Sequence, residues 1–264
     1  MNKVTKICYF SATGNTLWSA KKIAERIKGE YELINIGVEA DKDEITLEAD
    51  AVLLFFPAYA YGPPLIVRSF LKRAAIKTPY FAAFVTFGTS PGGALASVSH
   101  IVHRSGGGRK EIKSFYFGRI PSVENYIAMF GPQKPKTIEK RLKMQQNATD
   151  EAIRCVIEKR TNRINTFRPL SAFIFTLFSL GAKIFYRRYK VSGDCDGCGI
   201  CERVCPVSAI AMQNKRPAFS GKCEHCQGCL NWCPKRAIQF GRLTYATPGY
   251  HHPEIKLADI FRKR

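Results

Sequence analysis

The sequence lacks an apolar run long enough to cross a bilayer, and it lacks the pattern of a secretory signal. A membrane span needs about 20 apolar residues, whereas the apolar run at 170–182 has 13 residues and is followed by basic ones. The first ten residues do not combine a charged start, a long apolar core and a cleavage site. We therefore expect the protein to reside in the cytoplasm.

Familiar catalytic patterns are also missing. The chain has no Ser-His-Asp set, no HExxH motif and no clear pair of catalytic carboxylates. It also has no G-x-G-x-x-G fingerprint of the kind that binds dinucleotides. The sequence therefore offers neither a hydrolytic centre nor a clear NAD(P)H site.

Acidic residues are scarce relative to basic ones. The chain has 21 Asp and Glu against 41 Lys and Arg, which gives a formal net charge of +20. Half of this excess comes from residues 134–190, with 14 basic and 4 acidic residues. Such a charge favours an acidic redox partner protein, an anionic substrate or a membrane surface, and we expect no nucleic acid partner. The simpler alternative is a basic surface that keeps the protein soluble and offsets anionic cofactors.

Cysteine is nearly absent outside one short stretch. Only Cys8 and Cys155 lie outside it, and the other eight cysteines fall between 195 and 233. In a reducing compartment this density favours metal ligation over disulfides. The stretch is an internal repeat in which 195–212 and 223–240 align with a period of 28 residues, and each copy reads C-x2-C-x2-C-x3-C-P.

This spacing is the bacterial ferredoxin pattern for [4Fe–4S] clusters. Three cysteines at intervals of three can wrap one cube, while the fourth, followed by proline, reaches the cube of the other copy. The predicted first set is Cys195, Cys198, Cys201 and Cys233, and the second set is Cys205, Cys223, Cys226 and Cys229. Glycines beside the cysteines let backbone N–H groups approach the sulfurs. The alternatives are two zinc sites, which typically pair two C-x2-C units, or a disulfide knot.

The repeat resembles two-cluster bacterial-type ferredoxins over about 191–242, and this resemblance implies one-electron transfer at low potential. Two side chains in the last part of the chain are expected to be exposed: His225, between two cluster ligands, and His252, in a C-terminal tail at 243–264. Trp232 is expected to pack around a cluster.

Residues 1–133 alternate between apolar runs and helical patterns. Continuous apolar strands separated by helices indicate a parallel sheet covered on both faces. Five strands fit a doubly wound α/β domain. Strands are predicted at 4–9, 31–36, 51–56, 81–87 and 113–118, and helices at 16–28, 64–75 and 92–103.

Residues 134–190 are predicted to form a basic, helical connector. For its apolar segment at 170–182 we favour a helix packed against the protein. The alternatives are contact with a membrane surface or a partner, and a true membrane span.

A polar turn follows the first predicted strand and leads into a helix. Hydroxyls, an amide and a glycine at a helix start form an anion site, because free N–H groups and the helix dipole converge there. The turn closely resembles the flavodoxin phosphate loop T-x-T-G-N-T, with Ser11 in place of the first threonine. The resemblance implies that an FMN phosphate is bound by Ser11, Thr13, Gly14, Asn15 and Thr16.

Two further loops follow the third and fourth predicted strands. By the same resemblance, Tyr59 or Tyr61 stacks on the isoalloxazine ring, and glycines of the later loop let the backbone approach the ring edge. All three loops meet outside the carboxyl ends of the strands. The predicted flavin contacts are Pro57, Tyr59, Tyr61, Gly62, Thr86, Phe87, Gly88, Thr89, Gly92 and Gly93. The alternative is a flavodoxin-like domain that binds no flavin.

Nearly the whole chain resembles the flavodoxin–ferredoxin fusions known as EFR-family ferrodoxins. The fold class that this implies is a flavodoxin-like doubly wound sheet followed by a small α+β domain with two [4Fe–4S] clusters. We expect an electron-transfer oxidoreductase that passes electrons between the clusters and FMN and so links one- and two-electron partners. Two alternatives stay open: a flavin-dependent reductase of a small molecule, fed by the clusters, and a non-enzymatic module with structural clusters.

Overall fold

The first half of the chain forms a parallel five-stranded sheet. The computed structural model describes residues 3–104, 111–131, 133–164 and 169–261. The strands are β1 (Val4–Tyr9), β2 (Glu30–Asn35), β3 (Ile45–Glu48), β4 (Ala51–Pro57), β5 (Ala74–Lys77), β6 (Tyr80–Phe87) and β7 (Ser114–Pro121). The large sheet has the order β2-β1-β4-β6-β7 with parallel neighbours. Counted along the chain this is the order 2-1-3-4-5 of the flavodoxin-like fold, which confirms the predicted fold class.

Helices cover both faces of the sheet, because β4 and β6 are apolar at almost every position and must be buried on both sides. On one face, α2 (Leu65–Arg73) and α3 (Ala94–Arg104) pack on the sheet. On the other face lie α1 (Asn15–Ala24) and α5 (Pro135–Ile157), whose Ile153 joins Ile7 and Leu53 in one core cluster. The charged segment after residue 134 therefore begins with a helix of the flavodoxin-like body.

One predicted helix ends early. The pattern at 64–75 continues to alanines that favour helix, but α2 stops at Arg73. Ala74–Lys77 instead form β5, which pairs in parallel with β3 in a small separate sheet. Tertiary pairing overrides the local preference of Ala74 and Ala75.

The apolar segment at 170–182 lies within α6 (Pro169–Phe185), which follows the short helix α4 (Ile127–Phe130) and α5 along the chain. One side of α6 packs on the protein through Phe175 and Ala182, which are 6% and 2% exposed. In the part of the chain that the structure describes, no helix is long and apolar enough to cross a membrane.

The last part of the chain folds as two similar halves. It contains β8 (Tyr189–Val191), α7 (Ile200–Arg203), β9 (Ile210–Gln213), β10 (Arg216–Phe219), α8 (Gly228–Asn231), β11 (Ile238–Phe240), α9 (Leu243–Ala246) and α10 (Leu257–Ile260). The starts of α7 and α8, and those of β9 and β11, are separated by the 28-residue period. Two antiparallel pairs, β9 with β10 and β8 with β11, complete the predicted α+β domain.

The C-terminal segment is not the solvated tail that the sequence suggested. His252 is only 2% exposed, and its ring stacks on Trp18 of α1 with centroids 4.9 Å apart. Ion pairs join the same helix to the segment, at 2.9 Å between Lys21 and Asp259. The cause is the apolar content of the segment, since Ile255 and Ile260 are buried and need a surface to pack on.

Candidate redox centre

The first cysteine set surrounds one cavity. Its lining includes all four members, Cys195, Cys198, Cys201 and Cys233, and its volume is about 320 Å³. Cys198 is exposed, whereas Cys201 is buried. The pKa of the Cys201 thiol is raised to about 12, chiefly by burial and also by the other three thiols, against the lowering effect of a hydrogen bond with the Glu202 backbone. The structure thus brings together three cysteines of the first copy and the last cysteine of the second copy around one cavity.

The second set is more enclosed. Cys205 and Cys229 are buried, and Cys223 and Cys226 are half-buried. Burial raises the pKa of Cys226 and Cys229 well above the usual thiol value, and the thiols of the set raise each other's pKa. Four thiolates enclosed in this way need positive charge at their centre, and the irons of a cluster supply it.

The arrangement differs from a site for a single ion. Among the described residues, no group of three or more His, Cys, Asp or Glu side chains could hold one metal ion. The sulfurs of the first set instead line a cavity. This donor set of eight cysteines fits a pair of cubic clusters, in which the thiolates bind separate irons.

Backbone N–H groups donate to three of the sulfurs, and none of these donors is one of the glycines that the sequence suggested. The amides of Ala209 and Ala237, which occupy equivalent positions in the repeat, donate to Cys205 Sγ at 3.1 Å and to Cys233 Sγ at 3.3 Å. The amide of His225 donates to Cys223 Sγ at 3.3 Å. Such bonds stabilise the thiolate and tune the potential of a cluster.

His225 is not a surface residue, which corrects the sequence-based expectation. It is 1% exposed, and its ring lies within 6.0 Å, centroid to centroid, of five aromatic rings. These rings belong to Tyr126, Phe178, Phe185, Tyr189 and Phe240. Its Nδ1 lies 3.0 Å from the Tyr189 hydroxyl, and burial lowers its pKa to about 4. The sequence could not indicate this burial, because the five rings come from distant places: α6, β8, β11 and the residue before α4.

A second cavity, of about 400 Å³, lies at the carboxyl end of the sheet. Among the predicted flavin contacts it is lined by Ser11, Thr13, Asn15, Thr16, Pro57, Tyr59, Thr86, Phe87 and Gly88. Gly14, Tyr61, Gly62, Thr89, Gly92 and Gly93 do not line it. The loop after β7 contributes Ser122, Val123, Glu124 and Asn125, which were absent from the predicted contacts. Their sequence signal was their position after the carboxyl end of a predicted strand.

The phosphate loop has the geometry of an anion site. Gly14 holds a φ of +96° before the first residue of α1, and no side chain caps this helix. Uncapped N–H groups at a helix start attract anions. The loop side chains are held in place: Thr16 Oγ1 lies 2.7 Å from Thr86 Oγ1, and the Asn15 amide donates to Val123 O at 3.0 Å. These residues fit a flavin phosphate held chiefly by backbone amides.

Tyr59, rather than Tyr61, faces this cavity. Tyr59 and Gly62 exchange backbone hydrogen bonds of 2.8 and 2.9 Å across a two-residue turn. Both central residues, Ala60 and Tyr61, have positive φ, as a type I′ turn requires. The turn directs Tyr61 towards Gly92, where an added Cβ would collide with the Tyr61 side chain. Of the two candidates, Tyr59 is therefore the one placed for ring stacking.

Residues 194–238 match the family model of the 4Fe-4S dicluster domain. No curated protein matches the chain. The flavodoxin-like part has solved structural neighbours at low identity. One is an NAD(P)H:quinone oxidoreductase from Methanothermobacter marburgensis, at 9% identity and a TM-score of 0.39, covering 62% of this chain and 100% of that one. Another is a flavodoxin from Streptococcus pneumoniae TIGR4, at 15% identity and a TM-score of 0.36, covering 56% and 99%. The strand order, and not these scores, supports the fold assignment.

The dicluster domain packs directly on the phosphate loop. The Trp232 indole, one residue before Cys233, donates to Ala12 O at 2.9 Å. Gly228 faces the same loop so closely that a Cβ there would lie 3.4 Å from Ala12 O and 3.7 Å from Cys226 Sγ. The second cysteine set therefore lies beside the cavity that contains the predicted flavin contacts.

Tyr59 lies close both to the cavity of the predicted flavin contacts and to the second cysteine set. Burial raises its pKa well above the usual tyrosine value, and the largest further contributions come from Cys226 and Glu224. Glu224 Oε2 accepts a hydrogen bond of 3.0 Å from the Leu65 amide at the start of α2, where a carboxylate is stabilised by the helix dipole. This contact fixes the dicluster domain next to the loop that contains Tyr59.

Proposed function

We propose that the chain is an iron–sulfur flavoprotein that passes electrons between an external one-electron carrier, two [4Fe–4S] clusters and FMN. A flavin exchanges one or two electrons while a cluster exchanges one, so the pair converts between the two kinds of chemistry. The observation that supports this most is the close approach of Gly228, beside Cys226 of the second cysteine set, to the phosphate loop at Ala12. By this proposal the chain belongs with the EFR-family ferrodoxins, acts in the cytoplasm and meets a redox partner with an acidic surface.

The cysteine sets have different tasks in this proposal. Cys198 is exposed, so the first set is the point at which a protein carrier exchanges electrons. The second set has no exposed member, and its Cys226 lies beside Gly228, which approaches the phosphate loop. Its thiolates, shielded from water, position the cluster next to Tyr59 and the phosphate loop.

The predicted flavin contacts also have different tasks in this proposal. The uncapped N–H groups at the start of α1 bind the phosphate. Tyr59 orients the ring by stacking, and the β7 loop with Glu124 and Asn125 shields the cavity from water.

Anaerobic stopped-flow reduction of the reconstituted protein tests the proposal. With dithionite as one-electron donor, cluster absorbance is expected to bleach before flavin absorbance. The internal repeat offers a matched pair of variants, since Cys198 and Cys226 are 28 residues apart and equivalent. Cys226→Ser is expected to slow flavin reduction at least tenfold more than Cys198→Ser. Equal effects of the two variants would contradict the proposed order of transfer, from the first cysteine set through the second to FMN. Absence of cluster-to-flavin transfer in the parent would contradict the proposed electron-transfer function.

A further inference from the structure

Helix α6 has one face packed on the protein. The Phe175 ring lies under the Arg68 guanidinium at 5.2 Å, and it leaves no room for a Cβ at Gly62. Ala182 is buried on the same side, and Phe178 stacks on His225. The helix thus packs both on the loop that contains Tyr59 and Gly62 and on the dicluster domain.

The opposite face of α6 is an exposed apolar stripe, formed by Leu170, Phe173, Leu177, Leu180 and Ile184. Their spacings alternate between three and four residues, which aligns them along one side of a helix. Exposure runs from 54% for Leu177 to 70% for Leu170. A helix of 17 residues is about 25 Å long, and apolar patches of this extent mark interaction surfaces.

Two more exposed apolar side chains come from α4. Met129 is 65% exposed and Phe130 is 49% exposed. The helix follows Tyr126, whose ring lies 6.5 Å from Phe178 of α6. The short helix therefore adds apolar surface next to α6.

Basic residues border the apolar stripe. Arg187, Arg188 and Lys190 follow α6 directly and are exposed. An apolar helix face bordered by Lys and Arg is the combination that binds in the plane of an anionic membrane surface. A second copy of a chain with net charge +20 would be repelled. Five exposed apolar side chains along one helix face suit the acyl boundary of a bilayer better than the charged surface of an acidic protein.

We propose that the apolar stripe of α6 docks on an anionic lipid bilayer, with the helix in the plane of the interface. The apolar side chains enter the acyl boundary, and the exposed Arg187 and Lys190 lie at the headgroups. Because Phe175 contacts Gly62 on the packed face, docking places the loop that contains Tyr59 close to the membrane. The inference does not depend on the proposed electron transfer.

Co-sedimentation of the reconstituted full chain with vesicles tests the proposal, using phosphatidylcholine alone or mixed with phosphatidylglycerol. Leu177→Glu has a matched control in Ile157→Glu, because Ile157 is an exposed apolar residue of similar exposure, 59%, on α5. Leu177→Glu is expected to weaken partitioning to the anionic vesicles at least tenfold, and Ile157→Glu less than about threefold. Equal binding by both variants would overturn the proposal.

Two further measurements separate docking from non-specific charge attraction and from self-association. Phe173→Trp, in a chain whose Trp18 and Trp232 are buried, is expected to give an indole that brominated lipids quench even at about 0.5 M salt, where surface charges are screened. Absence of quenching would contradict insertion. A dimer in light scattering that Leu177→Glu converts to monomer would assign the stripe to a second copy instead. Iron content and circular dichroism verify that each variant is folded.

Discussion

His225 and Gln227 of the second cysteine motif hold left-handed backbone conformations, with φ of 54° and 56°. The first motif has Gly197 and Gly199 at the equivalent positions, where positive φ has no steric cost. For a residue other than glycine the left-handed conformation costs about 1 kcal/mol. Contacts that glycine cannot make offset this cost here. His225 fills a box of aromatic rings, and Gln227 Oε1 accepts from the Ala128 amide at 3.4 Å. The departures from symmetry in the repeat thus anchor one motif to the rest of the molecule.

Tyr59 gives a residue-scale prediction, because it lines the flavin cavity and Tyr61 in the same turn does not. Tyr59→Ala is expected to weaken FMN binding about tenfold, which corresponds to about 1.4 kcal/mol of lost stacking. Tyr59→Phe should keep the affinity within about threefold. Tyr61→Ala is the matched control, and fluorescence titration of FMN measures all three. A larger loss for Tyr61→Ala than for Tyr59→Ala would contradict the assignment.

The sequence could predict the cysteine grouping because the repeat records it as spacing. It could not choose between Tyr59 and Tyr61, since the choice depends on a turn with two non-glycine residues at positive φ. It also could not predict the burial of His225. That burial depends on aromatic side chains that are distant from His225 along the chain.

At the scale of elements, the C-terminal segment is bonded to the phosphate loop. The His252 amide donates to Thr13 O at 2.8 Å, and the Tyr250 hydroxyl donates to Asn15 Oδ1 at 2.8 Å. Both acceptors lie in the phosphate loop. The segment therefore supports the loop from behind, a role that its polar, proline-containing sequence did not indicate.

His252 makes this support sensitive to acid. Burial lowers its pKa from about 6.5 to about 4; Glu254 opposes the shift, and Lys22 and His251 add to it. The folded state thus keeps the ring neutral while the unfolded chain binds a proton. The free energy of unfolding therefore keeps its full value above pH 6.5 and declines by up to about 3 kcal/mol as the pH falls towards 4.

The expected result is a melting temperature that falls between pH 7 and pH 5 by several degrees more in the parent than in His252→Gln. His251→Gln is the matched control, because the neighbouring His251 is exposed. Differential scanning fluorimetry of the reconstituted protein measures the difference. Identical pH profiles for the parent and His252→Gln would show that this ring does not carry the effect.

The strands and helices of the sheet were predictable because continuous apolar runs can be buried only within a covered parallel sheet. β1 has the predicted bounds. β5 was not predictable, because its pairing with β3 lies outside the local pattern. The sequence also did not predict that α5 packs on the sheet. Charged residues dominate its composition, while a narrow apolar side with Ile153 and Val156 makes the contact.

At the scale of the whole molecule, specific polar and aromatic contacts join the two halves. Trp232 donates to Ala12 O, and its ring stacks on His251 with centroids 4.1 Å apart. Glu224 caps α2 through the Leu65 amide. Trp232 and Glu224 are next to predicted cluster ligands, so the interface and the second cysteine motif form one structural unit.

Trp232→Phe tests this interface. It leaves the buried Ala12 carbonyl without its donor, which costs about 1–2 kcal/mol and should lower Tm by about 3–6 °C. Iron content should stay unchanged, because no ligand is lost. His251→Ala removes the stacking alone and should have a smaller effect. A drop in iron without a drop in Tm would place Trp232 in cluster binding rather than in the interface.

The central claim is that eight thiolates in two crossed sets hold a pair of iron–sulfur cubes beside a flavin. The most direct test is an anaerobic count of iron, sulfide and flavin in one preparation. The account predicts about eight irons and eight sulfides per chain, together with one FMN. Two zinc ions per chain, or clusters without flavin in a preparation supplied with FMN, would contradict it.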